Sequence, residues 1–132
     1  MGSKGFEELE VYRISEELAD AIWQLVVGWD AFARQTVGGQ LVRAADSIGA
    51  NIAEGAGRGT FKDNKRFARV GRGSLNETRH FLRRAFRRKL LTIEQIDELK
   101  PLIGELGPRL NAYIKSIGRG ATAEPQRPAN DQ

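Results

Sequence analysis

The chain has 132 residues, one domain's worth. It has no cysteine and a single histidine, His80, which excludes a disulfide framework, a thiolate metal site and a histidine-cluster metal site. The net charge of +4 hides a polarity: twelve basic and two acidic residues between Arg58 and Lys89 give +10, while the other nine basic and fifteen acidic residues give −6. Such asymmetry speaks to partners or subunit contacts, not to fold.

The first five residues, Met-Gly-Ser-Lys-Gly, lack the apolar core of a secretory signal and are expected to be disordered or cloning-derived. No apolar run approaches the ~20 residues of a membrane span, so a cytoplasmic, soluble protein is expected. From Phe6 to about Gly28, Val11, Ile14, Leu18, Ile22, Leu25 and Trp29 recur at three- and four-residue spacing, the stripe of an amphipathic helix. Six acidic residues, from Glu7 to Asp20, occupy much of the remaining surface. Gly28 to Gln35 reads as a loop or frayed end, with Trp29 and Phe32 folded back on the core.

A second helix is expected from Thr36, as N-cap, to about Ala56. From Ser47 on, it is built almost wholly of small residues. Ala44, Ala45, Gly49, Ala53 and Ala56 share one strip, which lets a neighbouring backbone approach closely. Gly55, Gly57 and Gly59 punctuate its exit. Glu54 has two readings: an exposed pair with Arg58 at i+4, or a buried carboxylate met by an arginine of the next helix.

Thr60 to Asp63 resembles a capping box, and the third helix runs from there to about Lys89. Phe67, Val70, Gly71, Ser74, Thr78, Phe81, Ala85 and Phe86 make its expected inward side. Lys65, Arg69, Arg72, Asn76, Arg79, Arg83 and Arg87 form a second stripe, ~200° away around the axis. Thr92 to Gln95 is another capping box, opening a fourth helix to Ile117. Pro101 and Pro108 interrupt its heptad-like apolar pattern, so a kink is expected near the first and a kink or break near the second. Residues 118–132 read as a disordered tail. The expected architecture is all-α: an antiparallel up-down-up-down four-helix bundle over residues 6–117 with a kinked fourth helix.

Three stretches carry a family likeness. Phe6-Glu7-Glu8-Leu9-Glu10-Val11-Tyr12, the long block from Gln40 to Gly55 followed by Gly57-Arg58, and Phe67 to Thr78 together resemble the four-helix-bundle proteins encoded in intervening sequences of bacterial 23S ribosomal RNA genes. Ser47-Ile48-x-x-Asn51-Ile52-Ala53-Glu54-Gly55 is the most specific part. The resemblance implies a bundle that assembles into a ring, typically a homopentamer, with nucleic-acid binding suspected. A more distant likeness is to the accessory variability determinant proteins of diversity-generating retroelements, pentameric bundles that bind a reverse transcriptase and nucleic acid. Glu54, Arg58, Arg72 and Glu77 match motif positions, which implies an arginine–carboxylate network between helices two and three, within or across subunits.

No catalytic constellation emerges. Ser47 and Ser74 lack a base partner, with His80 alone on a basic helix. Gly55 to Gly59 lacks the preceding strand and the Gly-Lys-Ser/Thr ending of a phosphate loop. No Glu-x-x-His pattern supports a di-metal bundle, and no cofactor is expected. The functional candidate is the basic stripe: Lys65, Arg66, Arg69, Arg79, Arg83, Arg84, Arg87 and Arg88, clustered cations suited to neutralising several phosphates of RNA or DNA. Few exposed aromatics accompany it, Phe61 being a weak candidate, so such binding would be largely electrostatic. The competing reading is an oligomeric adaptor for a protein partner, its basic helix neutralised by acidic faces within the assembly.

Overall fold

The apolar spacing of the first segment produces helix α1, Glu10–Val27, in the computed structural model, which describes residues 5–119. The expectations for residues 1–4 and 120–132, disorder included, fall outside the described residues. Phe6–Glu8 is a separate 3-10 turn, and extended backbone at Leu9 divides it from α1. Val11, Ile14, Leu18 and Ile22 are buried as the stripe requires. Val26 takes the core place expected of Leu25, which is half-buried.

Helix α2, Gly39–Ala56, is entered earlier and differently from the expectation. Asp30 is the cap, its Oδ1 accepting the Ala33 N–H at 3.0 Å. The chain is helical from there, through Ala31–Ala33 and a π-turn at Arg34–Gly38, directly into α2. The expected loop therefore ends at Asp30. Thr36 is no cap, because its hydroxyl lies inside the helix and donates back to the Phe32 carbonyl at 2.7 Å. Trp29 is buried as expected, but Phe32 is 77% exposed.

Helix α3, Phe61–Arg87, starts at Thr60, whose hydroxyl accepts the Asp63 N–H at 3.1 Å. Its buried face is narrower and made of smaller residues than expected: Ala68, Gly71, Ser74, Leu75, Thr78, Leu82 and Ala85. Val70 and Phe86, expected inside, are 48% and 40% exposed. They fall one position away from the buried line, where size alone does not bring them in. Leu90 donates its N–H to the Ala85 carbonyl at 2.9 Å, closing the end of the helix, with Lys89 in the left-handed region (φ 65°) where glycine is the usual occupant.

Helix α4, Ile93–Ser116, begins with a complete capping box between Thr92 and Gln95. It is unbroken through Pro101 and Pro108. Both prolines are exposed, so the carbonyls they leave without a helical donor lie on the wet side. Leu99, Leu106, Leu110, Tyr113 and Ile114 are buried, as the apolar spacing indicates.

The four long helices form a closed circuit, α1 on α2, α2 on α3, α3 on α4 and α4 on α1. The most extensive contact is α2 with α3. Close approach explains it. A Cβ on Gly55 would lie 3.0 Å from the Asn64 carbonyl and 3.0 Å from Phe67 Cβ, and one on Gly71 would lie 3.2 Å from the Ile48 carbonyl. Gly55, expected to punctuate the exit, is thus a packing position, while Ala56 of the expected strip is exposed.

Candidate functional site

α3 places its cations by simple periodicity. One face must be buried, so the residues between its buried positions turn outward. Arg66, Arg69, Arg79, Arg83, Arg87 and Arg88 are exposed, and Lys65 and Arg84 half-buried. From Lys65 to Arg88 the rise is ~35 Å, about ten base-pair steps of a duplex.

Some of these charges are held locally. Arg66 pairs with Asp63 at 3.6 Å, and the Arg66 and Arg58 guanidiniums stack on the Phe67 ring at 4.6 and 4.8 Å from its centroid. Arg79 donates to Asn76 Oδ1 at 3.4 Å and lies over Gly107 of α4. Among the described residues, Lys65, Arg69, Arg83, Arg84, Arg87 and Arg88 make no ion pair. The face is a row of solvated positive charge with several members uncommitted.

The four residues assigned to a polar network are not joined within the protomer. Glu54 and Arg58 pair at 3.4 Å, with side chains 54% and 42% exposed. Arg72 instead donates to Asn111 Oδ1 on α4 at 3.1 Å, and Glu77 is exposed. Of the two readings of Glu54, the geometry is that of the exposed i+4 pair, because Glu54 sits on the outer side of α2, next to buried Gly55.

Two features escaped the sequence reading. The first is a recess of about 460 Å³ between the start of α2 and the end of α3, lined by Gln35, Thr36, Val37, Gln40, Arg43, Phe81 and Arg88. The spacing of Gln40 and Arg43 offered a hint, but the π-turn that helps line the recess has no sequence signature. The second is Asp46 of α2, which joins the acidic surface of α1. Burial, and then the nearby Asp20 carboxylate, push the Asp46 carboxyl above its ordinary range. Burial and the Glu16 carboxylate raise the Tyr12 phenol, which donates to Glu16 at 3.3 Å. Trp23 and Val27 are exposed further along α1.

Among the described residues, no three His, Cys, Asp or Glu side chains gather at a point that could hold a metal ion, and no helix is long and apolar enough to cross a membrane. No curated protein matches the chain. A family model does: that of the 23S rRNA-intervening sequence protein matches residues 7–112, and the chain belongs to this family.

Proposed function

We propose that this member of the 23S rRNA-intervening sequence protein family is a cytoplasmic, non-enzymatic homo-oligomer that binds the backbone of RNA or DNA through the outer face of α3. The observation that carries the reading is the row of exposed and half-buried cations from Lys65 to Arg88, six of which make no ion pair among the described residues. Clustered charges of one sign neutralise several phosphates together, and the released counterions make such binding strongly salt-dependent.

An antiparallel up-down-up-down arrangement is part of the proposal. Positions that rise on one helix meet positions that fall on the next. Gly38 meets Val26 while Gly49 meets Ser15, and Gly55 meets Phe67 while Gly71 meets Ile48. A bend of α4 at its two prolines belongs to the same reading, since each removes one helical hydrogen bond. Five subunits is the number that family likeness implies.

A second reading, an oligomeric adaptor for a protein partner, is favoured by the exposed Trp23, Val27 and Phe32 beside an acidic flank. In that case acidic faces of neighbouring subunits neutralise α3.

Anisotropy of labelled RNA and duplex DNA, titrated in salt, tests the choice. Phosphate binding gives a log–log salt slope of several units. The pair Arg79→Glu and Arg83→Glu removes binding while leaving the melting curve nearly unchanged. Absence of binding at low salt, with a change of oligomer size in the same variant, selects the adaptor.

A further inference from the structure

We propose that the recess between α2 and α3 is a nucleotide pocket, which takes one base and its phosphate from a single strand lying along the arginine face. This rests on the nucleic-acid reading above and sharpens it to single-stranded ligands.

The recess has the right size and chemistry. Its volume of about 460 Å³ falls within the ~300–1,000 Å³ of small-ligand sites. Arg43 lines it from α2 and Arg88 from the end of α3, so two different helices each contribute a cation to its wall. Neither makes an ion pair among the described residues. Gln35 and Gln40 are exposed at its wall. Each amide presents a donor and an acceptor side by side, as the edge of a base does. Phe81 supplies an aromatic surface, half-buried and braced by the His80 ring edge-on at 4.9 Å. Phosphate clamp, amide pair and ring are the three elements by which unstacked bases are recognised.

Its position is equally telling. Phe81, Arg84 and Arg88 follow one another at three- and four-residue spacing on α3, so the recess continues the charged face sideways. A strand crossing from the Arg83 and Arg87 positions to the adjoining Arg84 and Arg88 passes its mouth. A duplex could contact the same arginines, but its bases are stacked and paired and cannot enter.

The test is anisotropy with a labelled 12-nucleotide single strand, the matching duplex and, as competitor, a free nucleoside monophosphate. Wild-type protein binds the single strand about tenfold more tightly than the duplex. The exposed pair Gln35→Ala and Gln40→Ala lowers single-strand affinity about tenfold, leaves duplex affinity unchanged and keeps the salt slope. Arg79→Glu with Arg83→Glu instead weakens both ligands and flattens the slope. Equal single-strand affinity in wild type and glutamine variant overturns the pocket and leaves the arginine face standing. Loss of duplex affinity in the glutamine variant overturns it too, as does a monophosphate that competes as strongly as an unlabelled strand, which would mark a small-molecule site. Absence of all binding at low salt overturns both readings together.

Discussion

The two sides of α3 are built on different physical terms. Its inner side, from Ala68 through Gly71, Leu75 and Leu82 to Ala85, is buried, and a methyl group added at Gly71 would meet the Ile48 carbonyl at 3.2 Å. Its outer side, from Arg69 through Arg83 to Arg87, consists of long cations with their ends in water. Steric fit fixes the first to within tenths of an ångström. The second depends on how many charges stand in a row, and any one side chain can move without loss. Stability and binding are therefore separable along one helix, with substitutions inside registering in the melting curve and substitutions outside registering in affinity.

The comparison can be pressed hardest at Leu75, which is 1% exposed. Leu75→Ala is expected to cost ~2–5 kcal/mol by thermal or urea unfolding. Arg83→Ala on the opposite side should stay within ~0.5 kcal/mol. Similar losses from the two would end the distinction.

Glycine substitutions sharpen it by sign. Gly73 faces open space, so Gly73→Ala gains the helix-propensity difference of ~1 kcal/mol. Gly55→Ala has the same intrinsic gain, yet its methyl group meets the Asn64 backbone carbonyl and Phe67 Cβ at 3.0 Å. Overpacking of ~1–3 kcal/mol turns the result destabilising. If calorimetry shows both variants stabilised, the α2–α3 contact is softer than its geometry implies.

A smaller effect is expected at Glu54. Its exposed pair with Arg58 makes Glu54→Ala worth ~0.3–0.5 kcal/mol, fading with added salt. A loss of several kcal/mol would mean that assembly buries this pair and rebuilds the wider network across subunits.

The smallest effect belongs to Asp46. Its carboxyl is raised by burial and by Asp20, so the folded state favours the protonated form more than the unfolded chain does. The stabilising share is present below the unfolded value and lost as pH rises through the folded one. Asp46→Asn should thus stabilise slightly at neutral pH, an effect weakened by the solvent that reaches this carboxylate. Melting curves of the two proteins should converge as the pH falls through the carboxyl range.

Much of this was legible from local signals. Helix existence followed from three- and four-residue apolar spacing, and Thr60 and Thr92 marked two starts because short hydroxyl side chains cap well. Asp30 does the same work, but the aromatic and glycine residues around it disguised the start and shifted attention to Thr36. Pro108 misled about a break because sequence does not show which proline faces solvent. Val70 and Phe86 misled for a related reason. Where helices approach closely, small residues occupy the core and large ones are turned out. Most of the row of cations on α3 was readable, six of eight being exposed, because residues between the buried positions turn outward; Lys65 and Arg84 are half-buried. The recess was not, because it joins residues some forty positions apart around a turn that has no sequence signature.

That π-turn has a consequence for how the chain tolerates change in length. Arg34–Gly38 holds one residue more than an α-helical path over the same rise would need. Deleting a residue there can return the segment to ordinary α-helix and leave in phase both the Asp30–Ala33 entry and every contact from Leu41 to Gly55. The same deletion inside α2 would swing each later contact by ~100° and scramble the seam. The turn that leads into α2 is a place where the protein can lose a codon and keep its register.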